Sequence, residues 1–410
     1  MASLLTSNHA SWRCGRIKLL PLLGALRSRA ACHNFDPMNN LKSFSRNQSN
    51  SARLLRMGSV SDINANILLV GSGGVGTMAA YTLEKGGRAS VTAVLRSNYS
   101  VVKEQGFHIN SIEHGEVQGW RPTAIRDTIP NAMEEDLQYH YVVITTKNIA
   151  DIPPVMTELI APAVTPGYTN IVLLQNGLNI ERPFIKAFPS NPVLSGITVI
   201  GASENPRGTI KHDNYDISYI GPFDNPNIKS EVSQSAARAF VDIYGACSTV
   251  KCTYDHDVKF SRWRKLLYNA SFNTVATILR MDVSRMRASE HVVDDLIRPL
   301  MQEIVATAAA KGVELSLKEV EKIITIDLYE SFFKPSMCQD IEKGNFIEFE
   351  NIVGEPLREA EELGVPTPTL RVVYALLKGL QYQTKETKGL LRVPEKSLPE
   401  LKYGDKNEKW

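Results

Sequence analysis

Long apolar runs are missing from this 410-residue chain, and none reaches the roughly 20 residues that cross a bilayer, so no membrane span is expected. Charge of one sign is equally scarce. Lys and Arg number 46 against 44 Asp and Glu, and a net charge of +2 argues against a broad basic surface for nucleic acid. Cysteine is sparse as well, with Cys14, Cys32, Cys247, Cys252 and Cys338 and no Cys-x-x-Cys spacing. Cys247 and Cys252 have no nearby histidine pair to complete a zinc site, so no metal is expected. An odd cysteine count also argues against a disulfide framework and for reduced thiols in a reducing compartment. No repeat at solenoid periods is present.

Acidic residues are nearly absent from the first 56 positions, where Asp36 alone offsets Arg13, Arg16, Lys18, Arg27, Arg29, Lys42, Arg46, Arg53 and Arg56. Such an Arg- and Ser-rich leader resembles a mitochondrial transit segment. The apolar stretch Leu19–Leu26 also suits a secretory signal, but Pro21 and flanking arginines interrupt it. Translation from Met57 would instead give a cytoplasmic product. In each case residues 1–62 are set apart from the fold, and residues 394–410, rich in Lys and Glu, read as a tail.

What is present is enough apolar sequence, 43% of residues with 22% charged, for a large core and more than one domain. Short β-branched runs at Ile67–Val70, Ser90–Leu95, Tyr141–Thr145, Asn170–Leu174 and Tyr215–Ile220 alternate with helical periodicity, as in Ile152–Ile160. This alternation predicts an α/β domain with a mostly parallel sheet over residues 63–254. Beyond Asp255 the pattern is helical only, with helices expected over Arg262–Leu279, Glu290–Lys311, Leu317–Phe333, Glu348–Leu363 and Thr369–Gln383. Residues 255–393 are therefore expected to form an all-helical second domain.

Directly after the first strand comes Gly71-Ser72-Gly73-Gly74-Val75-Gly76, followed by the helical run from Thr77. Strand, Gly-x-Gly-x-x-Gly and helix in this order form a Rossmann-like dinucleotide site. Gly71 permits the bend, Gly73 admits a pyrophosphate and Gly76 allows helix–strand packing. NAD-binding domains usually end the second strand in Asp or Glu, which accepts from the ribose 2′-OH. Here the run ends in Arg96, whose guanidinium suits a 2′-phosphate, so NADP(H) is the expected cofactor; a surface arginine is the alternative.

Lys265, Asn269 and Asn273 recur at intervals of four in a stretch free of Pro and Gly, which places all three on one face if one helix spans them. Trp263, Leu266, Leu267, Ala270 and Phe272 occupy the other faces, so the polar stripe needs partners, of which a substrate is one and solvent another.

These features, with Lys147 after a strand, Gln175-Asn176-Gly177, Ser336-Met337-Cys338-Gln339-Asp340 and Glu348, resemble the ketopantoate reductase (2-dehydropantoate 2-reductase) family over Asn64–Lys388. The resemblance implies NADPH-dependent reduction of ketopantoate to pantoate in pantothenate biosynthesis, with Lys265 as proton donor. It implies that Asn269 and Asn273 hold substrate hydroxyls, Ser336 its carboxylate, and Asn176 both substrate and nicotinamide. Lys147, Ala202 and Glu348 fall where the family contacts the cofactor, alongside Gly71, Ser72, Gly73, Gly74, Val75, Gly76 and Arg96. Structural alternatives remain: a turn at Asn176-Gly177, a surface lysine at Lys147, a helix cap at Ser336 and an exposed carboxylate at Glu348. Departures from the family pattern after Asn273 and after Ala202 leave another 2-keto acid, bulkier or differently charged, open as substrate. A non-catalytic NADPH sensor is the alternative from another class. Monomer and homodimer both stay open.

Overall fold

The computed structural model describes residues 64–392. The leader, its targeting, Cys14, Cys32 and the 394–410 tail lie outside the described residues. Ten strands build one sheet: β1 Ala65–Val70, β2 Ala89–Val94, β3 Phe107–Ser111, β4 Gly115–Trp120, β5 Ala124–Arg126, β6 Tyr141–Ile144, β7 Asn170–Leu173, β8 Val193–Glu204, β9 Thr209–Pro222 and β10 Lys251–Tyr254. Helices α1 Gly74–Lys85, α2 Tyr99–Gln105, α3 Met156–Ile160, α4 Arg182–Ala187 and α5 Ser230–Tyr244 connect them. From Val258 onward the described chain is helical: α6 Val258–Asn269, α7 Phe272–Leu279, α8 Val283–Ala288, α9 Arg298–Ala310, α10 Leu317–Ile324, α11 Ser336–Glu342, α12 Glu355–Glu362 and α13 Pro368–Thr387.

The sheet order is β4-β3-β9-β8-β7-β6-β1-β2-β5, with β10 also on β9. Strands β7, β6, β1, β2 and β5 run parallel, as the strand–helix alternation predicts, whereas β3–β4 and β8–β9 pair antiparallel. Period-two alternation sends Ile67 and Leu69 of β1 to one apolar layer, with Met78 and Phe240, and Leu68 and Val70 to the other, with Ile144 and Phe184. A third core, including Leu267, Phe272, Leu300, Ile304, Cys338 and Leu377, unites the helices. Among the described residues no helix is long and apolar enough to cross a membrane.

Several expected elements differ. The short strand at Tyr215–Ile220 is the second half of the 14-residue β9, which turns back on the 12-residue β8. The expected helix at Ile152–Ile160 shrinks to α3, after the consecutive prolines Pro153 and Pro154, which lack amide donors. Arg262–Leu279 is two helices. Ser271 donates its Oγ to the Leu267 carbonyl, and Thr274 Oγ1 donates to the carbonyls of Ala270 (2.8 Å) and Ser271 (2.9 Å). These side chains compete for backbone acceptors at the join, and Ser271 leaves helical dihedrals with φ −113° and ψ −82°. Glu290–Lys311 and Glu348–Leu363 each begin their regular helix later, after π-helical turns at Val293–Ile297 and Glu350–Gly354. The helix expected over Leu317–Phe333 ends at Ile324. Beyond it Leu328 is 77% exposed and Phe332 58%, so the apolar periodicity there does not report a buried face.

Candidate active site

Adjacent parallel strands end in step. Val70 is in register with Val94 and with Ile144, and Ile144 with Leu173. The four loops that follow therefore leave one edge of the sheet, bringing together the Gly-rich turn, Arg96, Lys147 and Asn176. The chain departs from β1 toward β2 on one side and β6 on the other, the kind of switch point where open α/β sheets take ligands. A cleft of about 2420 Å³ opens here, and its lining includes every expected site residue from Gly71 to Glu348.

The three motif glycines answer to different constraints. Gly71 has φ +102°, a conformation side chains rarely adopt. A Cβ on Gly76 would lie 1.8 Å from the Gly71 carbonyl oxygen, so helix and strand approach too closely for any side chain. At Gly73 a Cβ would meet nothing within 4 Å, because its backbone faces open space at the start of α1. Ser72 Oγ is buried beside it without a hydrogen-bond partner in the described structure. Open backbone, an unpartnered hydroxyl and the positive end of α1 fit an anionic pyrophosphate. Arg96 is exposed, and its guanidinium has no hydrogen-bond or ion-pair partner among the described residues.

β8 continues past its partner β7 and crosses the cleft. The Ala202 carbonyl sits so near Gly74 that a Cβ there would lie 2.4 Å from it. Four residues earlier, the Thr198 carbonyl accepts a 2.5 Å hydrogen bond from Lys265 Nζ. Lys265 is on α6, started by Asp257, whose carboxylate accepts from the Phe260 N–H. Val258, Trp263, Leu266 and Leu267 bury this helix, and Ser261, Arg264, Lys265 and Tyr268 turn to the cleft. Burial and then the Arg262 cation lower the Lys265 ammonium to about 7; Lys147 pushes the same way and Glu348 opposes.

The break between α6 and α7 changes the expected three-residue stripe. Asn269 ends α6, is 8% exposed, and its amide has no partner among the described residues. Asn273 belongs to α7, where its Oδ1 accepts from the Met337 N–H (2.8 Å) and its Nδ2 donates to Ser336 Oγ (3.3 Å). Asn273 thus ties α7 to α11 and orients Ser336. Ser336 does not cap a helix with its side chain.

Glu348 is 5% exposed, not an exposed helix carboxylate. Its Oε1 accepts from the Asn148 N–H (2.8 Å) and its Oε2 lies 3.5 Å from Lys147 Nζ, which also pairs with Asp340 at 2.8 Å. Burial raises the Glu348 pKa against the opposing pull of Lys147. These contacts join the loop after β6 to the helical wall. Asn176 is partly buried, and its amide has no partner among the described residues.

Sequence reasoning missed Arg262. It is 6% exposed and donates to the carbonyls of Gln175 (3.0 Å), Gly177 (2.9 Å) and Gly196 (3.2 Å), while its Nε lies 2.8 Å from Glu181 Oε1. It therefore clasps both neighbours of Asn176 from the helix that carries Lys265. In the basic run Arg262-Trp263-Arg264-Lys265 nothing local separates this buried arginine from a surface one.

Two models of ketopantoate reductase PanE/ApbA match the chain, one over residues 67–225 and its C-terminal counterpart over 257–381. The chain belongs to the ketopantoate reductase family. Members are NADP-dependent oxidoreductases acting on CH–OH groups, and this reductase shares their Rossmann-like and helical architecture. An uncharacterized protein of Saccharomyces cerevisiae is 37% identical over 358 residues, 81% of this chain and 98% of its own. The crystal structure of 2-dehydropantoate 2-reductase from Methylococcus capsulatus matches with a TM-score of 0.65 and 32% identity, covering 78% of this chain and 97% of that one. The same fold, at 19% identity and a TM-score of 0.67, is that of D-mandelate dehydrogenase solved with NADH and anilino(oxo)acetate, over 78% of this reductase and 99% of that chain. Family membership therefore brings nicotinamide-dependent reduction of a 2-keto acid and leaves the acid's side chain open.

Proposed function

We propose that this chain reduces 2-keto acids to 2-hydroxy acids with NADPH, and that ketopantoate, giving pantoate for pantothenate biosynthesis, is among its substrates. The observation that carries the reading is the Lys265 ammonium, lowered to about 7 in a cleft shared with the Gly-rich turn and the unpartnered amides of Asn176 and Asn269. An acid of that pKa is protonated in a good part of the molecules at neutral pH and releases its proton readily. NADPH, when bound, supplies the hydride.

The chain's own residues do the rest. The N–H groups at the start of α1 and Ser72 Oγ hold the pyrophosphate, Arg96 the 2′-phosphate, and Lys147, Glu348 and the Ala202 backbone flank the nicotinamide half. Asn176 and Asn269 donate to substrate oxygens, and Ser336, oriented by Asn273, takes the carboxylate. Lys265 Nζ stabilises the developing alkoxide and gives it a proton. A sensor that only binds NADPH needs neither Lys265 nor Asn269.

The direct test is NADPH oxidation by the full chain with a panel of 2-keto acids, ketopantoate first. Tight NADPH binding with no turnover of any acid would overturn the reading in favour of a sensor. For the cofactor, Arg96→Ala should raise the Kd for NADPH roughly 10- to 100-fold, the worth of a charge-assisted hydrogen bond, and leave NADH within about twofold. Equal weakening of both removes Arg96 from the 2′-phosphate.

A further inference from the structure

Beyond Asn269 and Ser336 the cleft wall changes character. Tyr268 precedes Asn269 on α6, and Ile326, Leu328 and Phe333 come from the segment between α10 and α11; all four line the cleft. Ile326 is 53% exposed, Leu328 77% and Phe333 42%, so large apolar side chains meet solvent inside the reaction cleft. A monomer gains nothing from such exposure unless something covers it.

The segment is held in place. Tyr268 Oη donates to the Asp327 carboxylate (2.7 Å), and Arg287 Nη1 donates to the Asp327 carbonyl (2.8 Å). At the far end the Phe333 carbonyl accepts from the Val283 N–H (3.0 Å), and the Phe332 N–H donates to Ser284 Oγ (3.0 Å). These bonds use the backbone and Asp327 and leave the apolar side chains free. Three of the nearby polar groups are engaged: the Tyr268 hydroxyl on Asp327, Asn273 on α11, and Arg264 on Glu319. The Asp327 carboxylate in this segment repels a second carboxylate on the substrate.

Resting on the 2-keto acid reading above, we infer that the preferred substrate is a monocarboxylic 2-keto acid with a large apolar side chain, aromatic or branched, seated against Tyr268, Ile326, Leu328 and Phe333. The wall is continuous with the residues that hold the keto acid head. A substrate anchored there extends its side chain over these apolar groups. Ketopantoate, short and hydroxylated, covers less of the wall and places a hydroxyl against it.

The test compares kcat/KM of the full chain, with NADPH, for phenylglyoxylate, 4-methyl-2-oxopentanoate and ketopantoate. The apolar acids should exceed ketopantoate by about tenfold or more, the range that hydrophobic pockets discriminate. In the double variant Leu328→Ser/Phe333→Ser the advantage of the apolar acids over ketopantoate should fall about tenfold, with the Kd for NADPH within about twofold. Both positions are exposed, so the variant should fold as the parent does. Preference for ketopantoate in the parent, or equal losses for all acids in the variant, overturns the inference and leaves the 2-keto acid reading intact. A dimer that the variant dissolves without changing substrate preference overturns it too, because a second copy is then the covering surface. Turnover of no 2-keto acid is a different failure, which removes the underlying reading.

Discussion

Lys265→Ala should lower kcat about 100- to 10,000-fold, the usual contribution of a positioned general acid, with the Kd for NADPH nearly unchanged. The size follows from where Nζ sits. On α6 it faces the cleft one turn before Asn269, and its one acceptor among the described residues is the Thr198 carbonyl. Removing it leaves the Gly-rich turn and Arg96 untouched, so cofactor binding and turnover should separate. The pH dependence has a definite sign. Burial and Arg262 lower the ammonium to about 7, so the protonated donor is lost as pH rises through 7 and reductive turnover should fall on the alkaline side. A rate flat from pH 6 to 9, or an alanine variant that keeps its turnover, would show that the proton comes from elsewhere.

Arg262→Met should destabilise the protein by about 3–5 kcal/mol in chemical denaturation, because it strands the Glu181 carboxylate, itself 0% exposed, without its cation. It also releases the carbonyls of Gln175, Gly177 and Gly196 from their donor. The double variant Arg262→Met/Glu181→Leu should recover most of the loss, since removing both charges avoids the unpaired one. A second readout reports position: with the Arg262 cation gone, the alkaline limb of the rate profile should move to higher pH. Arg262→Lys, which keeps the charge but not the planar fork, should hold the limb near its place while weakening the clasp on the Asn176 loop. Unchanged stability and an unchanged profile in Arg262→Met would make the buried pair incidental.

Some of this site is legible residue by residue. The Gly-rich turn follows from local rules, since a positive φ at Gly71 and the absence of room for a Cβ at Gly76 can be met only by glycine. The placement of Arg96 in the loop after β2, beside that turn, is legible from the strand pattern. The Lys265–Asn269 interval is a single helical step and survives in α6. The next interval does not, because Ser271 and Thr274 bond to the backbone and divide the helix.

The sequence by itself determined the strand–helix alternation, the nucleotide turn, the helical second half and the residue types that gather at the sheet edge. Each depends on short-range periodicity or on backbone conformations open to few residues. Only the tertiary structure decided that Arg262 is buried against Glu181 while Arg264 beside it faces the cleft, that Asn273 serves Ser336, that β8 carries Thr198 to Lys265, and that Ile326, Leu328 and Phe333 line the cleft instead of a core. Burial, pairing and exposure are set by contacts between segments far apart in the chain, and neighbouring residues carry no record of them.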